Sequence, residues 1–238
     1  MKYIVKALAI AILALTATSC NKIRGEGPTV SETRSHRGFT SISSSVDADV
    51  IFTQGQDYHV EITAQQNIIE RMKSDVSGGE LRFYFADCFN IGHHDPIKIY
   101  VTAPNVTGFT INGSGDLRSS DLEMGDKAVH LKVNGSGSMY FTAIYAGSID
   151  GGVVGSGNMN IAAGEAAGER CDISGSGTID FNNLLADRVT TNTTGSGSTS
   201  VYAKSSLDVS ISGSGNVYYR GTPRITSNIS GSGNIRPY

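Results

Sequence analysis

Apolar and polar residues alternate along the second half of this chain, on both sides of a tripeptide that recurs seven times. Gly-Ser-Gly begins at residues 113, 135, 155, 175, 195, 213 and 231, at intervals of 22, 20, 20, 20, 18 and 18 residues. Two residues before it stand Ile111, Val133, Val153, Ile173, Thr193, Ile211 and Ile229. Two residues after it stand Leu117, Met139, Met159, Ile179, Thr199, Val217 and Ile235. Such alternation is typical of strands buried on one side, and the glycines favour a bend between them.

The repeat predicts an all-β fold, a single-stranded parallel β-helix or solenoid with Gly-Ser-Gly turns. Two or three short strands cannot bury their apolar side chains alone, whereas stacked units turn each apolar position into a continuous column. A flexible glycine- and serine-rich linker is the alternative, but it would need no apolar columns. A left-handed helix of hexapeptides does not fit intervals of 20 and 22 residues, so we expect a right-handed solenoid.

Two further positions, directly before and after the tripeptide, hold mostly small polar residues. The position before it is occupied by Asn112, Asn134, Val154, Ser174, Thr194, Ser212 and Ser230. The position after it is occupied by Asp116, Ser138, Asn158, Thr178, Ser198, Asn216 and Asn234. We expect these side chains to form hydrogen-bonded ladders between successive coils.

The first half of the chain shows strand signals without a visible repeat. Strands are predicted at Val46–Phe52, Tyr58–Ile62, Leu81–Phe85 and Ile97–Thr102. Apolar residues at helical spacing predict one or two helical turns within Gln65–Lys73, and Gly78-Gly79 predicts a hairpin turn. We therefore expect residues 37–104 to form a β-rich N-terminal part that covers the first coil's open edge, with the repeat solenoid at 105–238.

The start of the chain resembles a bacterial lipoprotein signal. Lys2 and Lys6 precede an apolar stretch at 7–17 that is too short to span a bilayer, and small residues lead to Cys20. In such signals the cysteine becomes the acylated N-terminus, so we predict that residues 1–19 are a signal peptide and that Cys20 is lipidated. An ordinary secretory signal, with Cys20 uninvolved, is the alternative.

The segment 20–36 contains glycines and a proline and predicts a short flexible tether between the lipid and the folded domain. Removal of residues 1–19 takes away two lysines, so the formal net charge changes from −3 to −5. An acidic chain has no electrostatic basis for binding nucleic acid. The sequence has no second long apolar segment, so we expect the protein to attach to the membrane through lipid on Cys20.

Charged residues recur at outward positions in coils two to four. Five and three residues before the tripeptide, these coils carry His130, Asp150 and Arg170, and Lys132, Gly152 and Asp172. Many parallel β-helices are polysaccharide lyases or hydrolases that use acidic residues with a basic helper, so this patch is the candidate catalytic site. The alternative is a ladder of alternating charges that stabilises neighbouring coils. The ladder is favoured, since no tryptophan is present to stack on a sugar, and we predict no catalytic residues.

Metal sites and cofactors have weaker signals. Calcium-binding nonapeptide repeats need an aspartate in every turn, and only Asp116 directly follows a tripeptide. A loop contains Cys88, His93, His94 and Asp95, but without a recognised spacing of metal ligands. We predict no metal site and no cofactor. Cys171 shares a column with apolar residues and is expected to be a buried filler, while a disulfide to Cys88 is left open.

The layout of residues 37–238 resembles the family called the head-GIN domain, named as an auto-transporter adhesin family and found in lipoproteins of Bacteroidetes-type bacteria. The residues that carry the resemblance are Phe39-Thr40-Ser41-Ile42, Asp49–Gly55, Leu81-Arg82-Phe83, Thr102-Ala103-Pro104, the serial Gly-Ser-Gly turns and Ile235–Tyr238. The resemblance implies a β-helical fold and a cell-envelope location, and it carries over no catalytic residues.

Three classes of function follow. The first is a non-enzymatic envelope lipoprotein that serves as an adhesin or interaction module, with a protein or glycan as its ligand. The second is a carbohydrate-active β-helix enzyme that uses the outward charged patch. The third is a structural or accessory lipoprotein, expected like the first in the outer membrane.

Overall fold

The computed structural model describes residues 21–86 and 89–238, with the backbone alone for residues 21, 22, 89 and 90. The predicted signal peptide, Cys20 and Cys88 therefore lie outside the described residues. The strands are β1 Asn21–Ile23, β2 Thr29–Thr33, β3 Ser41–Ser44, β4 Asp49–Gln54, β5 His59–Gln65, β6 Met72–Ser77, β7 Glu80–Phe85, β8 Phe89–Ile91, β9 Lys98–Ala103, β10 Gly108–Gly113, β11 Asp116–Ser119, β12 Leu122–Glu123, β13 Ala128–Gly135, β14 Ser138–Phe141, β15 Ile144–Gly155, β16 Asn158–Ile161, β17 Gly164–Gly175, β18 Thr178–Gly195, β19 Ser198–Gly213, β20 Asn216–Arg220, β21 Arg224–Gly231 and β22 Asn234–Pro237. A four-residue helix, α1, spans Gln66–Ile69.

The repeat forms a parallel β-solenoid of about six turns, as the sequence predicts. Strands that precede each tripeptide stack in register as face A, in the order β3, β10, β13, β15, β17, β18, β19 and β21. Strands that follow it stack as face B, from β4 and β11 to β20 and β22. Shorter pairings from β12 onward close a third side, face C.

The Gly-Ser-Gly tripeptide forms the corner between faces A and B. In all seven copies the first glycine has a φ between 111° and 133°, a region that favours glycine. In the first six copies its carbonyl accepts at least one hydrogen bond from the next coil, as when Gly155 accepts from the N–H groups of Ser176 and Gly177 at 2.9 and 3.1 Å. A Cβ on Gly177 would lie 2.5 Å from both Gly157 O and a Val153 methyl group. The close stacking of corners therefore excludes a side chain at that position.

The interior follows the predicted columns. The residues two before and two after the tripeptide are buried in the stacked coils, including Thr193 and Thr199. Phe109 packs edge to face against Phe52 and Phe141, with ring centroids 5.1 and 5.2 Å apart, so aromatic rings join the N-terminal part to the first repeats. The exception in these columns is the last coil, where Ile229 is 39% exposed because no described strand covers β21.

The N-terminal part extends and closes the stack by interleaving its strands. On face A, β7 pairs in parallel with β3, and β6 then pairs antiparallel with β7. On face B, β9 pairs in parallel with β4, and β5 pairs antiparallel with β9. The chain thus builds a coil from β3 and β4, places β7 and β9 beneath it, and returns above it with β10. Strands β3 and β4 thereby cover the edge of the first repeat coil at β10 and β11.

The predicted hairpin and helical turn are both present. Gly78 and Gly79 connect β6 to β7 with φ values of 59° and 80°, which suit a tight hairpin turn. The helix α1 is one turn long and buries Ile68 and Ile69 against the core.

The prediction of a flexible tether at 20–36 is wrong for much of that segment. Strand β2 pairs antiparallel with β5 over five residues, and β1 pairs in parallel with β8. The physical reason is the open edge of β5, whose unpaired backbone groups β2 satisfies. Val30 also packs partly buried against the core, which favours the ordered strand over a loose linker.

Candidate functional site: a charged groove on face A

The strand register on face A places the predicted charged residues on one outward surface. Strand pairing aligns one outward row, the His130 column, which consists of Gly108, His130, Asp150, Arg170, Thr190 and Asp208. It aligns a second row, the Lys132 column, which consists of Thr110, Lys132, Gly152, Asp172, Asn192 and Ser210. The two columns lie two residues apart along each strand, so their side chains share one side of the sheet.

Most charges in these columns are paired with near neighbours. His130 Nδ1 lies 3.0 Å from Asp150 Oδ2, a contact that is an ion pair when the imidazole is protonated. Arg170 Nε donates to Asp172 Oδ2 at 2.7 Å, and this hydrogen bond raises the pKa of the Arg170 guanidinium. Asn192 Nδ2 donates to the other oxygen of Asp172 at 2.7 Å. The His130–Asp150 and Asn192–Asp172 contacts join neighbouring coils, as in a polar ladder, whereas the Arg170–Asp172 contact lies within β17.

A groove of about 550 Å³ lies over the two columns. Its lining comes from six consecutive strands of the stack and includes Ser41, Thr110, Lys132, Gly152, Asp172 and Thr194. Six strands correspond to five spacings, so the groove runs for about 24 Å along the solenoid axis. It crosses the strands instead of following one of them, because its residues come from the same few positions of successive coils.

The sequence predicts the charged residues of this site but not the groove that they line. Gly152 was recognised only as a gap in a charged column, whereas in the structure it lies on the groove's lining between Lys132 and Asp172. Asn192 was not singled out, although it orients Asp172. Its column position, one coil beyond Asp172, was the available signal.

The polar ladders beside the tripeptide are present in part. Asn134 Nδ2 donates to Asn112 Oδ1 at 2.8 Å, and the N–H of Ser138 donates to Asp116 Oδ1 at 3.0 Å. Asp116 thus has a role in linking two coils. Val154 interrupts the first ladder and is 50% exposed.

A buried acidic residue, Glu169, was also missed. It occupies an inward position between Ile149 and Val189 in the strand register and is 4% exposed. Cys171 Sγ donates to Glu169 Oε1 at 3.2 Å, while Oε2 has no partner among the described residues. Burial raises the pKa of the Glu169 carboxyl from its ordinary value of 4.5 to about 8, and it also raises the pKa of the Cys171 thiol. Both groups are thus mainly neutral at pH 7.

The remaining candidates do not converge on a site. Cys171 is buried, as expected of a filler, and the Cys88 partner of the disulfide that the sequence leaves open lies outside the described residues. His94 Nδ1 contacts the carbonyl of Asp95 at 2.7 Å, while the Asp95 carboxylate accepts from Thr29 Oγ1 at 3.3 Å. Within 21–86 and 89–238, no group of three or more His, Cys, Asp or Glu side chains is arranged to hold a metal ion. In the same residues, no helix has the length and apolar character needed to cross a membrane.

The family profile described as "Putative auto-transporter adhesin, head GIN domain" matches residues 38–223, which include the groove and nearly all of the solenoid. The chain belongs to this family. Membership of the head GIN domain family agrees with the resemblance found in the sequence and suggests association with the cell envelope. The adhesin description also suggests a role other than catalysis. No functionally curated protein matches the chain.

Solved structures support the fold of this head GIN domain protein. A "putative adhesin" from Bacteroides fragilis is 22% identical with a TM-score of 0.84, covering 91% of this chain and all of its own. A "putative lipid binding protein" from Parabacteroides distasonis is 21% identical with a TM-score of 0.73, and a "putative adhesin" from Parabacteroides merdae is 20% identical with a TM-score of 0.71. Each of these two covers 92% of this chain and all of its own. At these identities the likeness shows a shared fold.

We predict that Glu169 makes stability fall as pH rises. The unfolded carboxyl loses its proton near pH 4.5 while the folded one keeps it to about pH 8, so raising the pH between these values favours unfolding. Glu169→Leu should therefore stabilise the protein by a few kcal/mol at pH 7.5, and the gain should shrink towards pH 4.5.

Urea denaturation across this pH range measures the effect. Glu165→Leu, at an exposed position on the same strand, is the control and should show no comparable pH-dependent gain. A Glu169→Leu variant whose advantage is the same at pH 4.5 and 7.5 would contradict the neutral buried carboxyl.

Proposed function

We propose that this protein is a lipid-anchored, non-enzymatic adhesion module of the cell envelope that presents the groove on face A to its ligand. The observation that carries the proposal is the groove itself, a row of outward polar side chains held at fixed spacing by a hydrogen-bonded stack of coils. A surface of this kind needs no rearrangement to bind, which lowers the entropic cost of association. Family membership supports the same role.

The paired carboxylates favour binding over catalysis. Glycoside hydrolysis requires one carboxylic acid that donates a proton to the leaving oxygen. In the groove, Asp150 Oδ2 lies 3.0 Å from His130 Nδ1, and Asp172 accepts from both Arg170 and Asn192. Each carboxylate thus has a basic side chain within 3.0 Å, a placement that favours a charge-pairing role over proton donation. An enzyme of the lyase or hydrolase type is the competing function that the experiment must address.

We expect the chain to bind without turnover. The Cys20→Ala chain, which keeps the whole folded part, would be incubated with neutral and uronate-containing polysaccharides and assayed for new reducing ends and unsaturated products. Neither should form. The same chain on beads should be retained on at least one immobilised glycan or surface protein.

Two results would overturn the proposed function. Turnover that Asp150→Asn/Asp172→Asn abolishes would establish the enzyme. Beads that are retained on none of the glycan or protein surfaces would remove the adhesive role.

The lipid anchor at Cys20 has its own test. Cys20→Ala should abolish metabolic labelling with a fatty acid and release the protein from membranes, because a folded chain without lipid has no other long apolar segment to insert. Ser19→Ala, beside the acceptor, is the matched control and should remain labelled. A Cys20→Ala protein that stays labelled and membrane-bound would contradict the anchor.

A further inference from the structure

Packing does not require a glycine at position 152. At every Gly-Ser-Gly glycine except Gly113, an added Cβ would meet a backbone atom at 2.1–2.7 Å, and at the inward Gly151 it would meet the Phe181 ring at 3.0 Å. At Gly152 the nearest atom would be Leu131 O at 4.0 Å, an ordinary contact. Glycine inside a strand weakens it, and one use of such a glycine is to let a ligand approach the backbone closely. Gly152 therefore opens the middle of the groove at some cost in strand stability.

Lys132, the neighbour of Gly152 in its column, makes no hydrogen bond or ion pair to the described residues. By contrast, His130 and Arg170 contact the carboxylates of Asp150 and Asp172. The Lys132 ammonium therefore retains its three donors for a ligand that lies over Gly152. The ligand group that best matches an unpaired ammonium is a carboxylate or another anion.

The groove's direction favours a saccharide over a peptide. The strands beneath it use their backbone N–H and C=O groups in ladders to both neighbours, so a peptide crossing them would find no backbone partners for its own amides. Short polar side chains recur on adjacent coils, Asp172 with Asn192 and Ser174 with Thr194, at the coil spacing of about 4.8 Å, which is close to the length of one pyranose unit. Sugar hydroxyls both donate and accept, as such a row requires.

Val154 supplies an apolar contact beside the same position. It is 50% exposed, stands on the groove's lining and lies two residues beyond Gly152 on the same strand. The C–H face of a sugar ring over Gly152 can pack on this methyl pair while its carboxylate reaches Lys132. The apolar contact of Val154 and the ammonium of Lys132 together describe one subsite for one acidic sugar, over Gly152.

We infer that the groove on face A binds a linear, uronate-containing glycan along the solenoid axis, with one uronate over Gly152 and its carboxylate on Lys132. This inference rests on the proposed adhesive function and adds the ligand class and the residues that select it. The groove length of about 24 Å accommodates about five sugar units at one unit per coil spacing.

The probe is hexagalacturonate, and its fully methyl-esterified form is the neutral counterpart with the same backbone. Calorimetry with the Cys20→Ala chain should show binding of the acid and at least about tenfold weaker binding of the ester. Lys132→Gln should lose a similar factor for the acid and little for the ester. Lys98→Gln removes an exposed lysine from β9 on face B and should change neither affinity.

A second pair of variants tests the shape. Gly152→Trp should fill the groove and abolish binding of both probes, while Gly168→Trp, an outward glycine of face A that does not line the groove, should leave binding unchanged. Circular dichroism and thermal unfolding would show that both variants keep the fold. If neither variant keeps the fold, the smaller pair Gly152→Val and Gly168→Val replaces them. Gly152→Val should then weaken binding of both probes, and Gly168→Val should leave it unchanged.

The outcomes separate the inference from the proposed function. Equal affinity for acid and ester, or unchanged affinity in Lys132→Gln and in the Gly152 variant, would overturn the inference. So would the absence of hexagalacturonate binding together with retention of the beads on a protein surface, on polyglutamate or on lipid vesicles. In those cases adhesion by another ligand or face would survive, whereas failure to bind any surface would remove both.

Discussion

The structure depends on the hydrogen bonds that join one Gly-Ser-Gly corner to the next. In the first six copies the carbonyl of the first glycine faces the next coil and accepts from its serine. In all of these except Gly195 it also accepts from the third glycine, as Gly155 does from Ser176 and Gly177. This contact requires a positive φ at the first glycine and no side chain at the third, since a Cβ there would meet the corner of the preceding coil. The spacing and register of the whole stack are set at this edge.

Fixed register has consequences inside and outside the coil. Inside, it aligns equivalent positions, so Glu169 must lie between apolar neighbours and is held mainly neutral at pH 7. Outside, it aligns His130 with Asp150 and leaves Lys132 beside the open position of Gly152. A groove with a definite order of charges is thus a direct product of a backbone repeat. The same rigidity suits a surface that binds a long ligand without rearranging.

Periodicity explains which features could be predicted from the sequence. The burial of Ile173 and the alignment of His130 with Asp150 follow from counting residues to the nearest tripeptide, because every coil repeats the same path. Glu169 could have been found in the same way, since it stands six residues before a tripeptide where Ile149 and Val189 stand in adjacent coils. Charge was weighed only at outward positions, so this inward carboxyl was missed.

Features that depend on contacts distant in sequence were not predictable. The insertion of β7 and β9 beneath β3 and β4 has no local signal, because neither pair of strands shows a repeat. The composition of 20–36 predicts a tether and not strand β2, because the pairing of β2 with β5 is not visible in its own residues. The shape of the groove at Gly152 also required the neighbouring coils, since a glycine in a strand does not by itself show whether its space is filled or open.

The most direct test of this account compares two adjacent residues of one corner by urea denaturation. Gly177→Ala introduces a methyl group 2.5 Å from Gly157 O and from Val153, so we predict a loss of more than about 2 kcal/mol in the free energy of unfolding. Ser176→Ala changes the exposed middle residue and keeps its N–H, so its loss should stay within about 0.5 kcal/mol. Comparable losses at both positions, or none at Gly177, would contradict the claim that stacked glycine corners hold the solenoid in register.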